Sequence, residues 1–210
     1  MKSWNYMKFL WKSDNAHGVH SPFVYNIITQ CFYNKAPKSY TKTKEHSTEN
    51  ITPQSIKTLH KIVAGLNPTK LYILSDEAPE ITEILRTSGE VLNARVWFFS
   101  TLAPVPSAID LAYISSEDTA TAIPLLEQVV PNTNDNSTCV VGNIYATEET
   151  TRAWEAIKNH PDVTVTIDTY HLGLVFFRGG QAKQHFTIRT NTSWLLNAFL
   201  GSKKLWGLLG

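Results

Sequence analysis

The sequence predicts an α/β domain in which a mostly parallel sheet is covered by helices on both faces and carries an antiparallel pair at one edge. The middle of the chain alternates short, continuously apolar segments with helical ones, which is typical of parallel strands buried on both faces. The last strand-like segments are joined by short connections, which favours antiparallel pairing. The 210 residues, 42% of them hydrophobic, suffice for one such domain with a sizeable core.

The start of the chain predicts a helical arm. Apolar side chains recur at loosely helical spacing over residues 4–12. Ser21 followed by Pro22 is typical of a helix start, with Ser as the N-cap, and this helix is expected to run to about Tyr33. Residues 34–50 are polar and lysine-rich, which predicts a loop or a mobile linker.

The composition therefore divides the chain into three parts. Residues 1–50 are the helical arm and linker, and residues 51–190 are the α/β domain. Residues 191–210 are an unusually apolar tail, predicted to form a helix that packs on the domain or on a partner.

Helix and strand patterns alternate through the main domain. The predicted helices span 52–66, 79–88, 119–130 and 148–159, and the predicted strands span 71–74, 94–99, 109–114, 138–141, 163–167, 173–178 and 185–189. Gly89 is expected to end the second of these helices, and Pro124 to disturb the start of the third.

The turn after the strand 71–74 is the most informative segment. In an α/β nucleotide-binding domain this turn normally carries glycines, so that backbone N–H groups can approach the ligand closely. Here it reads Ser75-Asp76-Glu77 and contains no glycine. Acids at a helix N-terminus, including Glu80, are stabilised by the helix dipole and need no ligand, although a cation or a basic partner is an alternative.

Two further stretches carry a resemblance to a known family. The first is Phe9-Leu-Trp-Lys12 followed by His17-Gly-Val-His-Ser-Pro-Phe-Val-Tyr25, and the second begins at Ile144-Tyr145 and extends to about residue 189. Both resemble a bacterial group of class I S-adenosylmethionine-dependent methyltransferase-like proteins with an N-terminal His-Gly-x-His-Ser-Pro-Phe signature. The resemblance implies a Rossmann-like, three-layer sandwich of the methyltransferase type.

The resemblance also implies a cofactor site at the carboxyl ends of the strands, and this chain departs from the family pattern there. The family has a glycine-rich acidic turn after the first strand, an acid after the second, Asp-Gly after a later strand and Asp-Asp after the next. The corresponding, degenerate cofactor-binding positions here are Ser75, Asp76, Glu77, Ser100, Ser115, Ser116 and Asn143. The interval between Phe99 and Asp110 is also short, which predicts that one strand–helix unit of the usual sheet is missing.

Composition argues against several other classes of protein. The net charge of +1 and the scattered basic residues do not favour a nucleic-acid partner. The two cysteines, Cys31 and Cys139, cannot form a zinc site alone and are expected to be reduced core thiols, so no metal is predicted. Lysines interrupt the apolar residues of the first twelve positions and no apolar run is long enough to span a membrane, so we expect a cytoplasmic protein.

Three histidines are candidates for metal binding or catalysis, namely His17, His20 and His171. His17 and His20 do not have the spacing of a zinc site, and bracing the helix start at Ser21 is the simpler role. His171 is the one histidine placed where a general base would sit, and it is the weak catalytic candidate of the chain. With no nucleophile or acid partner evident, a solvated loop histidine is the alternative.

The tail offers a route to partners. Its Trp194, Leu195 and Phe199 could form one apolar face that packs against the arm or against a second subunit. We therefore expect a homo-oligomer formed through the N-terminal arm and the C-terminal tail. Binding to a membrane surface, with Lys203 and Lys204 at the headgroups, is the alternative, and two lysines make that attraction weak.

Three functions follow from the sequence. The first is a methyltransferase-like pseudoenzyme that has lost S-adenosylmethionine binding and catalysis and acts as an interaction or structural protein. The second is an active S-adenosylmethionine-dependent (O-)methyltransferase with a divergent cofactor loop, in which case S-adenosylmethionine is the cofactor. The third is a membrane-surface docking module that uses the tail.

Overall fold

A computed structural model describes residues 2–14, 18–33, 40–43, 45, 47–48, 50–91, 97–99 and 108–190. The helices are α1 (Lys2–Lys12), α2 (Pro22–Cys31), α3 (Tyr40–Thr43), α4 (Pro53–Leu66), α5 (Ala78–Val91), α6 (Thr119–Val129) and α7 (Glu148–Asn159). The strands are β1 (Lys70–Leu74), β2 (Trp97–Phe99), β3 (Leu111–Ile114), β4 (Thr138–Gly142), β5 (Val165–Asp168), β6 (Leu172–Phe176) and β7 (Gln184–Thr187).

All seven strands belong to one sheet with the order β2-β1-β3-β4-β6-β5-β7. Strands β2, β1, β3 and β4 are parallel, and β6 runs antiparallel to both of its neighbours, β4 and β5. The predicted fold class, a mostly parallel sheet with an antiparallel pair, is confirmed. Strand β7 pairs in parallel with β5 and therefore lies outside the antiparallel pair.

Helices cover the sheet on both faces, which gives the predicted three layers. Leu71 and Ile73 of β1 pack into a core with α2, α4 and α5. Tyr72, between them, points to the opposite face and packs into a second core with α6 and α7. Because β3 and β4 are buried on both faces, their polar contacts with a ligand must be made at the strand ends.

The helix starts follow the capping residues in the sequence. Ser21 accepts a hydrogen bond from the Val24 amide ahead of α2, as predicted. Thr52 caps α4, and Thr147 caps α7 through reciprocal hydrogen bonds with Thr150. Each cap supplies an acceptor for an amide that the first turn of a helix leaves unpaired.

Two local predictions were wrong. Helix α5 continues through Gly89 to Val91, so this glycine is not its end. The segment predicted as a linker contains the short helix α3. Its Thr43 is buried, and the Thr43 hydroxyl contacts the imidazole of His60 beneath it.

The tail 191–210 and His17 lie outside the described residues, so the predictions made for them are not tested. His20 is exposed.

The N-terminal arm is attached to the far edge of the sheet. The ring of Phe23 meets that of Phe176 edge-on at 4.9 Å, and the guanidinium of Arg178 lies 4.2 Å from the centre of the same Phe23 ring. The amide of Asp14 donates to the Thr187 carbonyl at 2.8 Å, which continues the ladder of β7. The arm therefore shares the core of the α/β domain.

Both cysteines are buried and unpaired. Burial raises the pKa of the Cys31 thiol to about 12, and burial raises that of Cys139 still further, so both are unreactive thiols. Among the described residues, no helix is long and apolar enough to cross a membrane.

His60 is a fully buried polar residue of α4, held between α3 and α5. The Ser88 hydroxyl donates to the Ile84 carbonyl at 2.8 Å, so its oxygen accepts from Nδ1–H of His60, and Nε2 accepts from Thr43. The imidazole is thus satisfied in its neutral form. Burial lowers its pKa from 6.5 to about 4.

We predict that His60 makes stability depend on pH between about 6.5 and 4. The unfolded chain takes up a proton there and the folded chain does not, so stability is complete above pH 6.5 and falls as the pH falls. The loss should be on the order of 2–3 kcal/mol. Urea unfolding of the wild type and of His60→Gln at pH 7 and pH 5 measures it.

The wild type should lose more stability between these two pH values than the variant does. His171 and His185 also have a pKa lowered by burial and contribute in both proteins, so the difference between the two slopes isolates His60. Equal slopes in the two proteins would contradict the assignment.

Candidate functional site

A cleft opens over the carboxyl ends of β1, β3 and β4. One lobe has a volume of about 470 Å³, and a second lobe of about 520 Å³ extends toward α6. Six of the seven degenerate positions line it, namely Ser75, Asp76, Glu77, Ser115, Ser116 and Asn143. The seventh, Ser100, lies outside the described residues. The sequence therefore identified residues that lie together around one cleft. That they no longer bind S-adenosylmethionine stays a prediction.

The carboxylate of Glu77 accepts several hydrogen bonds at the edge of this cleft. Its Oε2 accepts from the Ser75 hydroxyl at 2.8 Å and from the Ser115 hydroxyl at 2.9 Å. Its Oε1 accepts from the Asn50 side-chain amide at 2.8 Å. The two serine hydroxyls are themselves 2.6 Å apart. One side chain thus ties together the segment before α4, the turn after β1 and the end of β3.

These hydrogen bonds determine the charge of Glu77. Partial burial acts to raise its pKa, but the hydrogen bonds from Ser75, Asn50, Ser115 and the backbone outweigh this, so the pKa of Glu77 is lowered. The group is therefore an anion at neutral pH. It lies directly ahead of α5, where the helix dipole also favours a negative charge.

The first turn of α5 offers few free amide donors to a ligand. The Glu77 amide donates to the Ser75 hydroxyl at 3.0 Å, and the Ala78 amide donates to the Ser75 carbonyl at 3.2 Å. Pro79 has no N–H, and the Ile81 amide already donates to the Glu77 carbonyl. The donors that a glycine-rich turn would present are used inside the protein.

The ends of β3 and β4 pack tightly around a tyrosine. A side chain at Gly142 would overlap the hydroxyl of Tyr113 and lie 3.2 Å from Cβ of Ser115. Tyr113 is buried, and burial together with the nearby Glu77 charge raises its pKa. The glycine at 142 is therefore required by packing, which accounts for one departure from the family pattern without any ligand.

Of the three remaining lining positions, Asp76 is exposed, and Asn143 and Ser116 have structural roles. Asn143 has φ 56°, a left-handed conformation that asparagine tolerates better than most residues. Its carbonyl accepts from the Ala146 amide at 3.0 Å, which closes the turn after β4. Ser116 donates to the Asp118 carbonyl at 3.2 Å and shapes the start of α6.

The lining is strongly acidic. Besides Asp76 and Glu77, it includes Glu117, Asp118 and Glu149, and no described lining residue is basic. Sequence reasoning missed the contribution of Asn50, which has no motif around it, and of Glu117 and Asp118. Asp118 could have been found as the cap of α6, since its carboxylate accepts from the Thr121 amide at 2.9 Å.

His171 lies further along the same edge, in the connection between β5 and β6. It lines two smaller clefts, of about 250 Å³ and 370 Å³, and burial lowers its pKa. It does not line the acidic cleft. The structure therefore separates the weak catalytic candidate from the degenerate positions.

A buried carboxylate next to His171 was not singled out from the sequence. Asp168 is buried, accepts from the Tyr145 hydroxyl, and accepts from the Tyr170 amide at 2.8 Å. Burial is the largest effect on its pKa and raises it, against the opposing effect of these hydrogen bonds. Within the described ranges, no group of three His, Cys, Asp or Glu side chains is arranged to hold a metal ion.

Comparison with known proteins gives weak similarity. No family model matches the sequence, and no curated protein matches it. One similar solved structure is an O-methyltransferase from Bacillus cereus in complex with SAH, with a TM-score of 0.42, 12% identity, and coverage of 71% of this chain and 94% of that chain. Another is an SAH-bound methyltransferase from Podospora anserina, with a TM-score of 0.45, 8% identity, and coverage of 76% and 97%.

The turn after β1 differs from the glycine-rich turn that the family resemblance implies for S-adenosylmethionine binding. The cofactor carries a carboxylate that needs cations or free N–H donors. At the end of β1 the protein places the carboxylate of Glu77 instead, and the amides of Glu77 and Ala78 already donate to Ser75. An anionic group entering here would face an ionised acid.

We predict that Glu77→Gln destabilises the protein by about 1–2 kcal/mol at pH 7, because an amide cannot replace the charged acceptor of two hydroxyls. Urea unfolding measures the change. The matched control is Asp76→Asn, which removes a neighbouring, exposed carboxylate and should change stability much less. Equal effects of the two substitutions would contradict a structural role for the Glu77 network.

Proposed function

We propose that this chain is a methyltransferase-like protein that has lost S-adenosylmethionine binding and catalysis and acts by binding other molecules. The observation that carries the proposal is the Glu77 carboxylate, whose hydrogen bonds with Asn50, Ser75 and Ser115 occupy the turn after β1 where the family pattern has glycines. Its negative charge is stabilised internally, so no ligand is needed to explain it.

Gly142 at the end of β4 and two lining residues, Asn143 and Ser116, support the same interpretation. Gly142 is accounted for by the Tyr113 ring, Asn143 by a left-handed turn, and Ser116 by the start of α6. These positions thus have local structural reasons for their residue types. A site kept for catalysis would instead direct such groups toward the substrate.

One observation favours the alternative of an active methyltransferase. The cleft is open, with lobes of about 470 Å³ and 520 Å³, so lack of space does not exclude a cofactor. A cofactor bound there would have to use a different orientation, with its cationic rather than its anionic groups near the acids.

Interaction with a partner is the remaining part of the proposal. Helix α1 exposes Met7 and Trp11, which are 58% and 61% accessible, and these side chains form an outward apolar face of the arm. This face supports the proposed homo-oligomer, in line with the expectation for the arm. Docking to a membrane through the tail stays a prediction, since it concerns residues 191–210.

Calorimetric titration of the full chain with S-adenosylmethionine and S-adenosylhomocysteine tests the proposal. We expect no binding tighter than about 100 μM for either compound, because both carry the carboxylate that Glu77 opposes. An active S-adenosylmethionine-dependent enzyme measured in the same buffer is the positive control. Tighter binding of either compound would overturn the proposal and support the active methyltransferase with a divergent cofactor loop.

A further inference from the structure

Two adjoining clefts lie beside the acidic one, over the carboxyl ends of β5 and β7. The first, here called the aromatic cleft, has a volume of about 250 Å³ and includes Tyr145, Tyr170 and His171 in its lining. The second, here called the basic cleft, has a volume of about 370 Å³ and includes Lys57 and Arg189. His171 lines both, so the two clefts are neighbours.

The turn between β5 and β6 holds the shared wall in a fixed conformation. Asp168 accepts from the Tyr170 amide, and the Thr169 hydroxyl donates to the Leu172 carbonyl at 2.7 Å. Tyr170 has φ 73°, which is unusual for a bulky residue and costs conformational energy. The buried carboxylate of Asp168 and the hydroxyl of Thr169 maintain this conformation and so present Tyr170 and His171 at the edge of the sheet.

The side chains around this turn form an aromatic cluster. The ring of Tyr170 stacks on Tyr145 at 5.4 Å and meets Tyr6 edge-on at 4.8 Å. It also contacts Phe9 at 5.3 Å and His171 at 5.1 Å. Such a cluster supplies flat, apolar surfaces of the kind that stack on a planar ligand.

The basic cleft has the opposite charge to the acidic one. Lys57 and Arg189 line it, and no carboxylate is found among its described lining residues. Arg189 is buried and donates to the Ser13 carbonyl; burial lowers the pKa of its guanidinium, and the nearby Asp14 acts in the opposite direction. Lys57 lies one turn before Lys61 on α4, and this like charge adds to the positive potential.

We propose that the aromatic and basic clefts together bind a small planar aromatic molecule that carries an anionic group. The ring would lie against Tyr145, Tyr170 and His171, and the anion would lie near Lys57 and Arg189. The basic cleft alone falls within the range of roughly 300–1,000 Å³ that is usual for small-molecule sites. The cationic residues lie outside the acidic cleft, whereas the aromatic cleft shares Asn50, Asn143 and Ala146 with it.

NMR-detected titration of the full chain with phenyl phosphate tests the proposal. We expect saturable binding with a Kd of about 1 mM or tighter. Benzyl alcohol carries only the aromatic ring and inorganic phosphate only the anion, so each should bind more weakly.

Lys57→Gln should weaken binding of phenyl phosphate about fivefold. The matched control is Lys183→Gln, which removes a lysine that precedes β7 at the opposite edge of the sheet and should leave binding unchanged.

Several results would overturn the proposal. Absence of saturable binding of phenyl phosphate up to about 10 mM would exclude the site. A dissociation constant above about 10 mM means binding much weaker than a specific small-molecule site gives. Equally tight binding of inorganic phosphate would exclude the aromatic part, and equally tight binding of benzyl alcohol the anionic part. An equal effect of the two lysine substitutions would show that charge acts at long range and not in the basic cleft.

Discussion

Burial of the sheet on both faces is the constraint on which the rest of this structure depends. Leu111–Ile114 and Thr138–Gly142 have no solvent-exposed face, so a polar side chain can act only where a strand ends. Parallel strands end at the same edge, and the turn after β1, the end of β3 and the turn after β4 therefore meet. The same geometry positions binding residues in the α/β proteins that use this edge for ligands. Here it brings the degenerate positions together.

What this chain does with that edge follows from a competition between internal and external hydrogen bonds. A turn that binds a ligand leaves its amides and hydroxyls free, at a cost to the empty protein. The turn after β1 instead pairs Ser75, Glu77 and Ser115 with one another and recruits Asn50 from the segment before α4. These hydrogen bonds connect three segments that are distant in the sequence. The same contacts occupy the groups that a cofactor would need.

The sheet and the helix starts could be predicted from the sequence because their causes are local. Ser21-Pro22, Thr52-Pro53 and Thr147 carry their capping chemistry in adjacent residues. Glu77 was identified as unusual for its position, but its partner Asn50 was not, because that contact joins residues far apart in sequence. The helix end at Gly89 was predicted wrongly, since a glycine near the end of a periodic segment does not by itself stop a helix that packs well. The Tyr113 hydroxyl that fills the space beside Gly142 is likewise a contact between strands.

The separation of charge along this edge is the last consequence of the fold. The clefts at the β1–β4 side are lined by acids, and the cleft near the β7 side is lined by Lys57 and Arg189, while the whole chain has a net charge of only +1. Screening in physiological salt acts over about 8 Å, so neighbouring clefts keep distinct potentials. A molecule approaching this edge therefore meets one end that repels anions and another that attracts them. The end with Lys57 and Arg189 thus has the charge to bind an anion, whatever the acidic end binds.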